Sequence, residues 1–413
     1  MRAVTILAAL VAAPVALCHN DQIPLTPDTL HTVSAADADA PTYRDKLLEL
    51  HKSLVDIPSI TGHESRVGRF LVDYLTERGF TADIQFVTPR SENGKKGEQR
   101  FNVIAWPGKT HDPKPKVLVT SHIDVVPPYI EYSISPGSIT KDTLIMGRGT
   151  NDAKGSVATM VIAVEELMAA DKIDDNVMLV FVVDEEVAGL GMKEFSKSLQ
   201  EHPPKIPQFQ AAIFGEPTES KLACGHKGAL FCSIEATGIP SHSGYPWLGK
   251  SANEIMVRAW AKIQDADLGS SELYGNTTIN AGILHGGLAA NVVPEKSTVQ
   301  FAARVAIGPQ ETGHLIVLER IKKILHEVDP EAFELDCSLG YGSVDCNCDV
   351  EGFDKITVNY GTDVPNLKGD FTRYLYGPGS ILTAHGRNEN VSVGALERAV
   401  EDYQKLILHA LKQ

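Results

Sequence analysis

After residue 18 the chain has no apolar run of the roughly 20 residues that a bilayer-spanning helix needs. It is also short of positive charge. Lys and Arg number 38 against 53 Asp and Glu, a formal net charge of −15. Nucleic acid and anionic membrane surfaces both select basic proteins, so neither is expected as a partner. Cysteine is scarce, with 6 in 413 residues, and no second Cys pair stands at zinc-finger spacing from Cys346-x-Cys348. Neither G-x-S-x-G nor H-E-x-x-H occurs, so a serine hydrolase or a single-zinc protease of those types has no support. No repeat or low-complexity tract stands out. What is present is a well-mixed globular composition, 43% hydrophobic and 22% charged, long enough for more than one domain.

Residues 1–18, MRAVTILAALVAAPVALC, carry an early Arg, an apolar stretch and small residues before a sharp rise in polarity at HNDQ. That pattern predicts a cleaved signal peptide and a secreted, extracellular protein. Residues 19–42 form an exposed polar lead-in. Cys18 leaves with the signal, and Cys224, Cys232, Cys337, Cys346 and Cys348 remain. In an oxidising compartment some of these pair and at least one is left over; Cys346 and Cys348 are disulfide candidates. Asn276-Thr-Thr and Asn390-Val-Ser are N-glycosylation sequons.

From Tyr43 helical periodicity alternates with short β-branched runs such as NVIAW, KVLVTSHID, VMLVFVVDEE and AAIFGEP. The alternation predicts an α/β fold, a mostly parallel sheet with helices on both faces. Near Lys227 the texture changes. ALFCSIEATG alternates apolar and polar, and two helices with further strands follow. This predicts an inserted α+β unit over residues 228–345, with residues 43–227 and 346–413 forming the main domain.

Three apolar runs end in acids or histidine: KVLVTS at His122 and Asp124, VMLVFVV at Asp184-Glu185-Glu186, and AAIFG at Glu216. Parallel strands end on one rim, so these residues should converge. Asp152, in the Gly-rich GRGTNDAKG, adds a further acid, and His385 in ILTAHGRNE a second imidazole. Crowded carboxylates repel and raise one another's pKa, and a pair of divalent cations would relieve this. Imidazole and carboxylate without thiolate suits Zn²⁺, with Co²⁺ or Mn²⁺ as substitutes. Singly, each residue has a plainer role: Asp152 as a helix cap, Glu185 and Glu186 as solvated loop charges, His385 as a loop histidine. Their clustering carries the metal hypothesis.

SHIDVVP, GRGTNDAKG, VVDEEVAGLG, GEPTE and the late HG, in this order, resemble the M20 family of metallopeptidases and amidohydrolases. That family includes glutamate carboxypeptidases, aminoacylases, acetylornithine deacetylase and succinyl-diaminopimelate desuccinylase. The resemblance covers nearly all the chain after the lead-in. It implies two zinc ions bridged by Asp152, one held by His122 and Glu216 and the other by His385 and Glu186. It further implies a cis peptide at Asp152-Ala153, Asp124 orienting His122 through its second N–H, and Glu185 as general base. The inserted unit matches the family's lid or dimerisation domain. There the resemblance implies that His242 reaches an active site, the neighbour's in dimeric members, and that Asn291 and Arg304 hold a substrate carboxylate. Gly379 is implied to place its N–H beside the substrate. The chain departs from many relatives in having Ala302-Ala303 before Arg304, where they carry an acid nearby.

The implied reaction is hydrolysis of an amide next to a free carboxylate, by a metallocarboxypeptidase or alternatively by an aminoacylase or deacetylase of N-acyl amino acids. The expected substrate is a peptide or an N-acyl amino acid. A catalytically dead binding protein on the same fold is the alternative of a different class, which metal content and chelator-reversible activity would separate. A competing motif is Gly244-Tyr-Pro-Trp-Leu-Gly-Lys250-Ser251, which satisfies the P-loop pattern GxxxxGK[ST]. Pro246 removes an amide from a loop that would have to wrap phosphates with amides, which argues against nucleotide.

Overall fold

The computed structural model describes residues 40–92, 95–201 and 209–413. The expected signal segment, Cys18 and most of the lead-in lie outside the described residues. The α/β expectation holds. Helices α1 (Arg44–Asp56), α2 (Ser65–Glu77), α3 (Lys154–Ala169), α4 (Leu190–Glu201) and α7 (Val393–Ala410) surround a nine-stranded sheet. Helices α5 (Ala252–Asp265) and α6 (Gly313–Val328) belong to the inserted unit.

Four neighbouring strands in the middle of the large sheet are parallel: Val177–Val182, Val117–His122, Ala211–Gly215 and Thr372–Tyr376. Antiparallel strands flank them, Arg100–Pro107 and Phe80–Val87 on one side and Leu222–His226 on the other. Successive side chains of a strand point to opposite faces. Val117, Val119, Leu179, Phe181 and Ile213 therefore join a core with α1, α2, α3 and α7. Leu118, Met178, Val180, Val182 and Phe214 join a second core with α4. Burial on both faces explains why these strands read as unbroken apolar runs.

The inserted unit is a four-stranded antiparallel sheet with α5 and α6 on one face. In the strand Gly228–Thr237, Leu230, Ile234 and Ala236 face the helices, while Phe231 and Ser233 are only half-buried. Such one-sided burial produces the alternation seen in its sequence. The unit's last strand is Phe333–Tyr341. Val344–Asp345, placed above in the insertion, instead pairs with Leu222–His226 in the large sheet. Cys232–Cys337 bridges two adjacent strands of the inserted unit, Cys224–Cys348 closes within the main domain, and among the described residues Cys346 is free.

Candidate metal centre

The four parallel strands release their chains at one rim. Val117–His122 ends on His122, Val177–Val182 leads into Asp184-Glu185-Glu186, Ala211–Gly215 leads into Glu216, and Thr372–Tyr376 leads into Gly377-Pro378-Gly379. Asp152 arrives on the loop before α3, and its peptide to Ala153 is cis. His385 sits on a loop in a left-handed conformation, φ 62°. Non-glycine residues adopt this region uncommonly, and often at functional sites.

Asp152 lies between the two imidazoles. Its Oδ1 is 3.2 Å from His122 Nε2 and its Oδ2 is 3.2 Å from His385 Nε2. Glu216 Oε1 is 3.9 Å from His122 Nε2, and Glu186 Oε2 is 3.0 Å from His385 Nε2. By these contacts His122 and Glu216 stand on one side of Asp152, and His385 and Glu186 on the other. Donor atoms of His122, Asp152 and Glu186 lie within 4.8 Å of one another, as do those of His122, Glu185 and Glu216.

The electrostatics show what such a cluster wants. Burial, then the charge of Glu216, pushes Glu185 well above the ordinary carboxylate range. Burial does the same to Glu216, and with the charge of Asp152 it lifts Glu186 to about 7. Burial pulls His122 down, but Asp152, Glu216 and Glu185 more than reverse it. Hydrogen bonds to Asp152 and then Glu186 raise His385 to about 10. Such groups hold protons because no other positive charge balances them. The donor set is imidazole and carboxylate, and Glu186 Oε1 is buried without a partner. The residues therefore fit a pair of divalent cations, one between His122 and Glu216, one between His385 and Glu186, with Asp152 shared.

Asp124 departs from expectation. His122 Nδ1 lies 3.0 Å from the main-chain oxygen of Asp124 but 3.7 Å from its carboxylate. A carbonyl only accepts, so Nδ1 donates to it, and Nε2 is the nitrogen that faces Asp152 and Glu216. Strand pairing stops at His122, so the two-residue periodicity no longer sets where the Asp124 side chain points. Its carboxylate accepts instead from Thr61 Oγ1 at 2.8 Å and from the N–H groups of Glu185 and Glu186 at 3.1 and 3.2 Å. Asp124 therefore fixes the turn that carries both glutamates.

Other buried groups go unnoticed in the sequence. Asp184, at φ 71°, turns away from the cluster and accepts from Arg100 Nη1 at 2.7 Å. Glu389 and Arg148 hold the Asp152 loop. Buried His51 Nε2 donates to Thr150 O at 2.9 Å, and Lys154 Nζ donates to Leu54 O and Ile57 O, so α1 braces that loop from behind. Only the polar run HGRNEN hinted at Glu389, and it resembles a solvated loop.

A cleft of about 400 Å³ opens from the cluster toward the lid, lined by Glu185, His385, Arg304, Phe231, Tyr341 and Tyr360 among others. Outside the cluster its charged lining residues are Arg304 and Lys193, both cations. A Cβ on Gly361 would lie 2.4 Å from Tyr341 Oη of the inserted unit, so a larger residue there would have to push that hydroxyl aside. His242 and Asn291 do not line the cleft. They are exposed on the lid, where Asn291 O accepts from Ser243 N. Gly379 also lies outside the lining. Its φ is 77°, and a Cβ there would meet Asn151 Oδ1 at 1.8 Å, so glycine is required for packing on the metal loop. Asn276 is exposed, and Asn390 is half-buried on a short strand beside Glu389.

The P-loop pattern has another explanation. Lys250 Nζ pairs with Asp329, and Ser251 caps α5 by accepting from Glu254 N at 3.3 Å. Lys250 also pairs its backbone with Ile239, so the segment is a lid strand-to-helix junction.

A family model described as Peptidase family M20/M25/M40 matches residues 118–409. A Sordaria macrospora protein named "Peptidase M20 domain-containing protein" is 54% identical, covering 92% of this chain and 88% of its own. An Ajellomyces dermatitidis protein named "Probable carboxypeptidase" is 43% identical over 98% of each chain. Among solved structures, a tripeptidase from Staphylococcus aureus has a TM-score of 0.73 at 20% identity, covering 90% of this chain and 99% of its own. An M20 metallo-carboxypeptidase from Sulfolobus solfataricus has a TM-score of 0.67 at 16% identity, covering 89% and 100%. At those identities the structural likeness establishes the fold. The sequence matches establish the family: this chain is a member of peptidase family M20/M25/M40, a hydrolase of peptide bonds.

Proposed function

We propose that the protein is a di-zinc metallocarboxypeptidase that removes C-terminal residues from peptides. The observation that carries this reading is the charge in the cleft. Beyond the metal cluster it offers two cations, Arg304 and Lys193, and no further acid. A carboxylate is therefore attracted there, and an N-terminal ammonium has no added counter-charge. Arginine suits the task because its planar fork binds a carboxylate through two bonds.

Two bound zinc ions would supply Lewis acidity and make a water molecule easier to deprotonate. The protein does the rest. His122 and Glu216, His385 and Glu186, with Asp152 between them, would hold the ions. Glu185 accepts the water proton and returns it to the leaving amine. Asp124 fixes Glu185 by binding its N–H. Arg304 holds the terminal carboxylate so that the preceding amide lies over the cluster.

On zinc-loaded protein, peptides with a free C-terminus should be cut, and their C-terminal amides should be cut far more slowly. Arg304→Ala should raise KM for free acids by about 10- to 100-fold, as expected for losing a charge-assisted bond of roughly 1.5–3 kcal/mol. A hydrolysis panel of dipeptides, folate-type glutamates and N-acetyl amino acids checks the substrate class. Cleavage of N-acyl amino acids alone would defeat the carboxypeptidase reading in favour of an aminoacylase.

The proposal extends to assembly and location. His242 and Asn291, implied by resemblance to touch substrate, stand on an exposed lid face with Tyr245 at 56%, Trp247 at 73% and Leu248 at 69% exposure. A second copy paired through the lid would cover this face and bring His242 to its partner's cleft. Mixing inactive Glu185→Gln and His242→Ala chains should then restore part of the activity, because a hybrid dimer has one complete site. No recovery, with sedimentation showing mixed dimers, would exclude action across the dimer. We also propose that the protein is secreted, with exposed Asn276 as the better placed of the two glycan acceptors.

A further inference from the structure

Glu389 belongs to neither candidate ligand group, yet it is 1% exposed. Its Oε1 accepts from three main-chain N–H groups of the metal loop: Gly149 at 2.9 Å, Asn151 at 3.2 Å and Asp152 at 3.1 Å. Its Oε2 accepts from Arg148 Nη1. Arg148, 2% exposed, then donates from Nη2 to His385 O at 3.2 Å and from Nε to Pro128 O at 3.3 Å. One buried ion pair thus grips the main chain at Asp152 and at His385.

The simpler account is that a buried loop needs acceptors for its amides and Glu389 supplies them. The two halves of the cluster, however, are supported differently. His122 ends a central strand and Glu216 follows another, and Ser121 Oγ ties those strands by donating to Gly215 O at 2.9 Å. The rigid sheet places that half. His385 rests on a loop, half-exposed and at positive φ. Besides the direct approach of its Nε2 to Asp152, the bond from Arg148 to its carbonyl ties its main chain to the Asp152 loop through Glu389. We propose that Glu389, through Arg148, is the positioning residue for the cation held by His385, Glu186 and Asp152, and that it sets the affinity of that half more than of the half that the sheet supports. This rests on the two-cation reading above.

The test is calorimetric titration of metal-free protein with Zn²⁺, with metal content measured after loading. Wild type should take up two ions in two steps. Glu389→Gln should keep the first step and weaken the second by about 10- to 100-fold, the usual cost of removing a partner behind a metal ligand. The double variant Glu389→Gln/Arg148→Met leaves no unpaired buried charge and should behave alike. If Glu389→Gln does not fold, that double variant and the milder Arg148→Lys carry the same expectation. Glu397→Gln is the control. It breaks a comparably buried pair, Arg44–Glu397, away from the cluster, and should lower the melting temperature without moving either step. Two unchanged binding steps in the Glu389 variants, or equal weakening of both, would overturn the inference. A wild type that binds fewer than two ions would instead overturn the two-cation reading itself.

Discussion

Glu185→Gln is expected to bind both cations as the wild type does and to lose about two to four orders of magnitude in kcat, the usual worth of a positioned general base. The substitution keeps shape and burial and removes the ability to take a proton. Glu185 is placed for that task by its turn, whose N–H groups are held by the Asp124 carboxylate. Without cations beside it, its proton affinity is high because it is buried and faces Glu216, and two divalent cations would lower it so that the carboxylate is free to accept a proton. A base must hold the proton long enough to hand it to the leaving amine, and an exposed glutamate would give it to water. Steady-state kinetics with metal analysis on the same sample decides the matter. Near-normal turnover would remove Glu185 from the reaction. Loss of metal together with activity would make it a ligand, an outcome that the grouping of His122, Glu185 and Glu216 makes worth measuring.

Chelation should abolish activity, and zinc should restore it. The pH dependence is more discriminating. In the metal-free protein Glu186 is raised from 4.5 to about 7 and His385 from 6.5 to about 10. A group whose folded pKa exceeds its unfolded value stabilises fully below the unfolded pKa, and that stability is lost as pH rises through the folded pKa. Glu186 therefore loses its contribution between about pH 4.5 and 7, and His385 between about 6.5 and 10. Asp152 is shifted down from 3.8, so its opposite effect falls below this range. Cations replace the protons of the raised groups, so loading releases protons. Apparent zinc affinity should rise about tenfold per pH unit for each proton displaced. The gain in melting temperature on adding zinc should accordingly be larger at pH 8 than at pH 5.5. Buried His51 and His226, both lowered to about 4, destabilise the fold toward acid with or without zinc, and cancel in that difference. A gain that does not change with pH would show that the cluster is not the zinc site.

The convergence of His122, Glu185, Glu186 and Glu216 was legible in the sequence because parallel strands share a rim, and a polar residue ending an apolar run is visible without coordinates. Asp124 was legible as a residue but not in its contacts. The strand ends two residues before it, and periodicity says nothing beyond a strand's end. Glu389, Arg148 and Arg100 were not legible, since a charge in a polar stretch looks the same whether it is solvated or sealed in. Only burial separates the two. Gly379 shows a third limit. A glycine matched to a substrate-binding role proves necessary for its approach to Asn151. The end of the insertion was misplaced because Val344–Asp345 is too short a strand to declare which sheet it joins.

The main domain supplies the metal cluster and Glu185, while Arg304, Phe231 and Tyr341 come from the lid, which has a hydrophobic core of its own. On the proposed function, cutting and choosing are therefore written in separate parts of the chain. Substitutions on the open face of the lid sheet can change which chain ends are accepted without disturbing the chemistry beneath.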